Sequence, residues 1–332
     1  MHMADALLSP TVGVGMCAIS AASIGYSVYK MNKEDVSEKK LPLMAVSGAF
    51  VFAAQMINFT IPATGSSGHI GGGILLAALL GQYPSLLTLA AVLIIQCLFF
   101  ADGGLLALGA NIFNMGVIPC LIIYPLLFKP LLKKGFTKKN VLIASVLSCV
   151  VGLQLGAFGV VLETLFSGIT SLPFQTFVML MQPIHLAIGF VEGLITSVVL
   201  MYVHSAAPQI VESGMNHSNI QVSIKKVVAV LAVCAILIGG GLSLYASSFP
   251  DGLEWSIEKV TGSTEVESQE ALHESMETIQ ESTSFMPDYD FKEGEGTGTS
   301  VAGLVGGAMT CALAGLAGAI IYFAKKKSKE GA

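Results

Sequence analysis

Residues 141–165 read VLIASVLSCVVGLQLGAFGVVLETL, directly after the lysine-rich stretch KPLLKKGFTKK at 129–139. At 1.5 Å rise per residue, a helix of this run reaches across a hydrocarbon core roughly 30 Å thick. Apolar runs near this length recur along the chain, and their recurrence sets the fold class: an all-α integral membrane protein. Composition agrees, with 53% hydrophobic and 12% charged residues, against about 25% charged in soluble domains. The 36 glycines outnumber the aromatic residues, which suits helices that pack closely through small residues. A net charge of −5 argues against a nucleic-acid partner.

Working outward from 141–165, spans are predicted near 9–29, 41–60, 69–82, 84–100, 104–128, 141–165, 177–203, 226–247 and 300–323. The chain has no arginine, and 15 of its 17 lysines fall at 30–40, 129–139, 225–226 and 325–329. The positive-inside rule assigns all four groups to the cytoplasmic face, and nine crossings put them there with the N-terminus outside. The segment 69–82 is short enough to be re-entrant, but merging it with the next would leave an odd number of crossings between two lysine groups. The predicted organisation is a seven-span body at 1–205, a cytoplasmic linker at 206–225 and a two-span part at 226–332. An acidic outer loop at 248–299 holds 13 of the 22 acidic residues. Within it, 265–281 is predicted as a short helix on Leu272, Met276 and Ile279, and Gly294-Glu295-Gly296-Thr297-Gly298 reads as linker.

The start of the chain lacks the basic flank and cleavage site of a signal peptide. All six cysteines lie in apolar runs and read as small buried hydrophobes, with no CxxC pair and no disulfide framework. A GxxxxGK[ST] phosphate loop is absent, so ATP hydrolysis is not expected of this chain.

The topology brings His2 and His69 to the same outer face. A bulky second residue keeps the initiator methionine, so the terminal amine, the His2 amide nitrogen and the His2 imidazole follow one another. They can close a five-membered and then a six-membered chelate ring on one ion, a pattern that favours square-planar Ni(II) or Cu(II). His69 is the candidate fourth donor, set among glycines in Gly68-His69-Ile70-Gly71-Gly72-Gly73 that let the backbone approach a buried neighbour. Ala4-Asp5-Ala6-Leu7-Leu8-Ser9-Pro10 is apolar enough to tuck the terminus into the bundle. In the seventh span, His185 and Glu192 share a face two turns apart, with His185 roughly 12 Å below the outer surface. His185 is equally readable as a partner of a metal site and as a helix-pairing group, whereas Glu192 reads as structural. Asn111 and Asn114, three apart, can face one cavity or bond a neighbouring helix. Ala45, Ala49 and Ala53 make a small-residue stripe for docking another helix.

These features together resemble the NikM/CbiM substrate-binding components of energy-coupling-factor transporters. The similarity rests on the Met-His start with Leu8-Ser9-Pro10, on Gln55-Met56-Ile57-Asn58-Phe59, and on Gly68-His69-Ile70-Gly71-Gly72-Gly73. It extends through Asp102-Gly103-Gly104, Ala107-Leu108-Gly109-Ala110-Asn111, Asn114-Met115-Gly116 and His185 with Ile188-Gly189 and Glu192-Gly193, covering roughly residues 1–205. Pro250-Asp251-Gly252-Leu253-Glu254 is similar to the signature of the small NikN-like companion, here fused. The resemblance implies a seven-helix capture subunit for Ni(II) or Co(II), the transported substrate, with no organic cofactor. Its metal ligands would be Met1, His2 and His69, with Asn58, Asn111, Asn114, His185 and Glu192 as candidate surrounding partners. It further implies a transmembrane coupling protein and cytoplasmic ABC-type ATPases as partners, in the cell membrane of a prokaryote. One departure is Met3-Ala4-Asp5-Ala6-Leu7, where the family often carries Ile-Pro-Asp-Gly-Phe. A rival reading, a self-sufficient secondary divalent-cation transporter or channel, asks for paired carboxylates near the midplane, and only Glu192 is deep. A metal sensor or scaffold ranks third. The four-nitrogen set favours nickel over cobalt.

Overall fold

The computed structural model describes the chain except residues 34–37, 217–218, 265, 267–270, 292–297 and 331–332, and the side chains of 328–330. It is a helical bundle, and among the described residues six helices are long and apolar enough to cross a membrane. These are α1 (Pro10–Lys33), α4 (Gln82–Phe100), α5 (Leu108–Leu132), α6 (Lys138–Ser167), α7 (Phe174–Ala206) and α12 (Gly298–Glu330). Three further predicted crossings form shorter helices, α2 (Lys40–Gln55), α3 (Gly73–Leu80) and α9 (Lys225–Gly240), of 16, 8 and 16 residues. Local signals explain several boundaries. Ser9 accepts a hydrogen bond from the Val12 N–H just before Pro10 opens α1, and Thr137 caps α6 through the Asn140 N–H. Within α5, Phe113–Phe128 is wound as a π-helix around Pro119 and Pro125, each of which removes a backbone donor.

The predicted helical span at 69–82 is corrected by the structure, because helix forms only over Gly73–Leu80. Gly72, at φ +79°, holds a left-handed conformation that glycine alone takes at little cost. The preceding backbone is not left unsatisfied. The Glu192 carboxylate on α7 accepts the Gly71 and Gly72 N–H groups at 2.8 and 2.9 Å, and Gln55 donates to the Gly71 carbonyl at 2.9 Å. Non-helical backbone within a bundle is tolerated where protein groups satisfy it in this way.

The predicted span at 41–60 is likewise shorter, since α2 stops at Gln55. The chain then turns through an antiparallel hairpin, β1 (Phe59–Ile61) and β2 (Ser66–Gly68), with Phe59 opposite Gly68. The span at 226–247 ends as helix at Gly240, followed by a 3-10 turn Leu242–Tyr245. The linker folds as α8 (Pro208–Asn216), with Gly214 packed on the Ala78 carbonyl at the end of α3. In the acidic loop, α10 (Gly252–Thr261) and α11 (Ala271–Thr283) form. The predicted helix at 265–281 is present from Ala271 onward and runs on to Thr283, while residues 265 and 267–270, with 294–297 of the glycine linker, lie outside the described residues.

Small residues set the closest packing. Gly189 and Gly193 of α7 lie against the backbone of Val150 and Val146 on α6, where a Cβ would clash. Gly239 and Gly303 bring α9 and α12 together in the same way, and the stripe on α2 receives α12, with Ala45 facing Gly315 and Ala49 facing Gly307. The loop also docks. Gln280 of α11 donates to the carbonyls of Cys97 and Gly103 at 2.9 and 2.7 Å, and the Tyr289 ring stacks on Phe100 at 5.0 Å. The described loop elements therefore rest on the end of the bundle where the chain begins.

Candidate metal centre

The first eight residues are held by backbone bonding that the sequence Met3-Ala4-Asp5 makes local and specific. The Met3 N–H donates to Asn111 Oδ1 at 2.7 Å, and Asn111 Nδ2 returns a bond to the Met3 carbonyl at 3.2 Å. Gly104 N–H donates to that carbonyl at 2.9 Å, and Asp5 Oδ1 accepts the Ala107 N–H at 2.8 Å before a 3-10 turn over Asp5–Leu7. Met3, Leu7 and Leu8 are fully buried, so the terminus tucks into the bundle as its composition predicts. The stretch without the family's proline and glycine is fixed by Asn111 and by Gly103-Gly104, where side chains would strike Asn111 and Asp5.

This anchoring aims the first two residues at a buried polar cluster. The terminal ammonium of Met1 makes an ion pair with Asp251 Oδ2. The other oxygen of Asp251 caps α10, accepting the Leu253 and Glu254 N–H groups at 2.7 and 3.0 Å. His2 Nδ1 donates to Asp102 Oδ1 at 3.0 Å, and Tyr289 donates its hydroxyl to Asp102 Oδ2. The His2 and His69 rings stack, centroids 5.2 Å apart and planes 14° from parallel. His69 Nδ1 lies 3.1 Å from the Ile70 carbonyl. A carbonyl only accepts, so Nδ1 carries the proton and Nε2 holds the lone pair.

Charge is balanced here by position. Burial raises the Asp251 carboxyl, but the terminal ammonium and then His69 outweigh it and hold it well below the usual carboxylate range. Burial likewise raises Asp102, and His2 with the Tyr289 hydroxyl brings it down to about 2. For His69, in the loop ahead of α3, burial first and the terminal ammonium second lower the pKa to about 3. His69 is therefore a neutral imidazole at ordinary pH, the form that ligates metals.

A cavity of about 10 Å³, room for one water or one ion, lies between Met1, His69, Met115, His185, Asp251 and Gly252. Of the sequence-predicted residues, Met1, His69 and His185 line this cavity, His2 stacks on His69 beside it, and Asn111 holds the terminus through Met3. The remaining three stand elsewhere. Asn114 donates to Glu163 at 2.8 Å. Glu192 is spent on Gly71 and Gly72. Asn58 lies by the hairpin, its carbonyl accepting the Ser247 N–H at 2.7 Å. Sequence reasoning missed Asp102 and Asp251 as site groups. Both were quoted within motifs, but Asp251 is one acid among 13 in a polar loop and Asp102 a lone acid between two spans, and neither carries a positional signal by itself. Among the described residues no three His, Cys, Asp or Glu side chains converge as a metal cluster.

Fold and site together define a multi-pass helical membrane protein with a nitrogen-rich pocket built on its own first residues. Residues 2–210 match the family model for the cobalt uptake substrate-specific transmembrane region, CbiM, and 225–323 match the PDGLE domain. The chain belongs to the NikM/CbiM family of nickel and cobalt transport membrane proteins, with a NikN-like part fused at its C-terminal end. A protein described as a fused nickel transport protein NikMN in Archaeoglobus fulgidus is 34% identical over 64% of this chain and 68% of its own. The fused nickel transport protein NikMN of Rhodobacter capsulatus is 38% identical over 36% of this chain and 33% of its own. The crystal structure of a transition metal transporter superposes with a TM-score of 0.55 at 32% identity, over 63% of this chain and 94% of the other.

Proposed function

We propose that the chain is the capture subunit of an ATP-driven importer, binding Ni(II), or Co(II), at the outer face. The donors are the Met1 amine, the His2 amide nitrogen, His2 Nδ1 and His69 Nε2. The observation that carries this reading is the terminal amine itself, buried beside His2 and His69 with a carboxylate, Asp251, as counter-ion. A buried chain terminus costs solvation that a floppy one would keep, and a chelating role accounts for it.

Loading then follows from ligand chemistry. The ammonium and the His2 amide each give up a proton, so one unit of positive charge faces Asp251 before and after the ion binds. The six-membered ring closes through His2 Nδ1, which here is spent on Asp102. Half a turn about Cβ–Cγ, with the ring proton moved from Nδ1 to Nε2, sends the bare Nδ1 to the ion and offers the Nε2–H to Asp102. Four nitrogens in a plane suit Ni(II) better than Co(II).

On this reading the direction has the N-terminus outside, nine crossings including the half-helical one at α3, and the lysine groups in the cytoplasm. Import is driven by a transmembrane coupling protein and cytoplasmic ATPases. Glu192, with both oxygens engaged by backbone, gives no support to a self-sufficient carboxylate-based transporter. One added residue before Met1 should abolish high-affinity nickel binding, read by equilibrium dialysis of purified protein, while helicity persists. Binding that survives the extension sinks the terminal-amine site. His69→Ala should weaken binding at least about 100-fold, since the plane loses a corner.

A further inference from the structure

The four planar donors leave one buried histidine of the cavity unused. His185, on α7, is 1% exposed, and its Nδ1 lies 2.8 Å from the Met181 carbonyl one turn back. Because the carbonyl only accepts, Nδ1 holds the proton and Nε2 the lone pair. That Nε2 is buried without a hydrogen-bond partner among the described residues. A ring fixed by a backbone carbonyl at one nitrogen, with a bare lone pair at the other, is the arrangement that metal-binding histidines adopt. A packing role would instead leave a buried acceptor unsatisfied at some cost.

The surroundings give the lone pair a ligand to meet. His185 lines the same cavity as Met1, His69 and Asp251. Gly252 stands at its imidazole edge, where a Cβ would sit 3.1 Å from Cε1 and 3.5 Å from Nε2. The glycine keeps that edge clear. Two turns further along the same helix face comes Glu192, but its oxygens hold Gly71 and Gly72. His185 is therefore the last open donor on that face before the satisfied α3 terminus.

We propose that His185 Nε2 is a transit ligand, which takes the Ni(II) or Co(II) ion from the capture plane as it moves inward. The inference rests on the capture reading above. The exchange changes no oxidation state. A metal–nitrogen bond forms at His185 as those to His69, to both His2 nitrogens and to the Met1 amine break and water fills the ion's vacated positions, and the Met1 amine and His2 amide regain from water the protons given up on loading.

The probe is nickel(II) alone, with the full chain and its native first residue. In membranes that also carry the coupling protein and ATPases, His185→Gln should cut radioactive nickel uptake at least about tenfold. Equilibrium nickel binding by the purified variant should stay within about threefold of wild type. His185→Gly should regain uptake with imidazole and not with pyrrole, which matches the ring's size and N–H but offers no in-plane lone pair. Unchanged uptake in His185→Gln overturns the proposal, and so does equal rescue by pyrrole. Binding that falls in step with uptake also overturns it, by making His185 part of the capture plane. Should the glutamine variant fail to insert, His185→Cys keeps a ligand and His185→Ser does not, and equal uptake by these two is again a refutation. A wild-type chain that binds no nickel fails earlier, at the capture reading itself.

Discussion

At the scale of single residues, Asp251 and Trp255 make the site's cover testable. Asp251 holds the Met1 ammonium with one oxygen and the start of α10 with the other, and one turn on, the chain's single tryptophan donates its indole N–H to the Thr64 carbonyl at 3.1 Å. Removing one partner of a buried pair strands the other charge, at a cost of about 3–5 kcal/mol. Asp251→Ala should therefore free α10 from the hairpin and shift Trp255 fluorescence to the red. The pH dependence has a definite sign. A carboxyl depressed below its usual value contributes stability that is complete above about pH 4 and is lost as pH falls toward the depressed value. Wild-type emission should then stay blue at pH 4 and redden only below it. Loading gives a second residue-scale test. His69 is already neutral above about 3, so nickel should release about two protons, from amine and amide, and bind more tightly as pH rises. Titration calorimetry in buffers of differing ionisation enthalpy reads this number, and a value near zero would remove the amide from the donor set.

Elements position those residues. The α3 terminus lies four residues beyond His69 and is tied to α7 through Glu192, so the proposed fourth donor inherits its place from a carboxylate buried in another helix. Glu192→Gln keeps the shape and loses the charge-assisted bonds, worth about 1.5–3 kcal/mol each. The variant should insert normally and bind nickel about 10–100-fold more weakly, as for other lost outer partners of metal ligands. Unaltered affinity would make Glu192 a remote helix tie. The fused part is held by equally close packing. At Gly306 of α12, a Cβ would come within 2.1 Å of Phe52 and 2.9 Å of Phe100. Gly306→Leu should push α12 off α2 at a cost of about 1–3 kcal/mol. Co-expressed halves split between α8 and α9 should then no longer co-purify, whereas the wild-type halves should.

For the whole molecule, the arrangement puts the proposed metal pocket under a cover contributed by the fused part. Phe249, Pro250 and Asp251 run beside Ser67 and Met1, and α11 rests on the carbonyls of Cys97 and Gly103. A pocket covered by segments more than 200 residues downstream couples the presence of the NikN-like part to the state of the terminus. The proposed orientation rests on lysine placement and is open to direct test. With native cysteines replaced, a membrane-impermeant thiol reagent added outside intact cells should label Ser263→Cys and spare Lys139→Cys. The reverse pattern would invert the topology.

The sequence by itself determined the helical membrane class, the rough position of each apolar segment and the pairing of the α2 stripe with another helix. Hydropathy, lysine placement and small-residue spacing are local quantities, and they survive folding. It also singled out Met1, His2 and His69, which the fold brings together, because an amine, an amide and an imidazole stand in consecutive residues at the start. Tertiary structure alone decided the rest. Crossing 69–82 became a half-helix because Glu192, about 120 residues away, satisfies the Gly71 and Gly72 N–H groups. Asp251 became a site residue because α10 delivers it to an ammonium 250 positions upstream. His185 was separated from Glu192 in role by which backbone groups each one meets, although both share a helix face. The physical reason is common to all three. A buried polar group takes its role from the partner that satisfies it, and that partner is chosen by packing between segments remote in the chain.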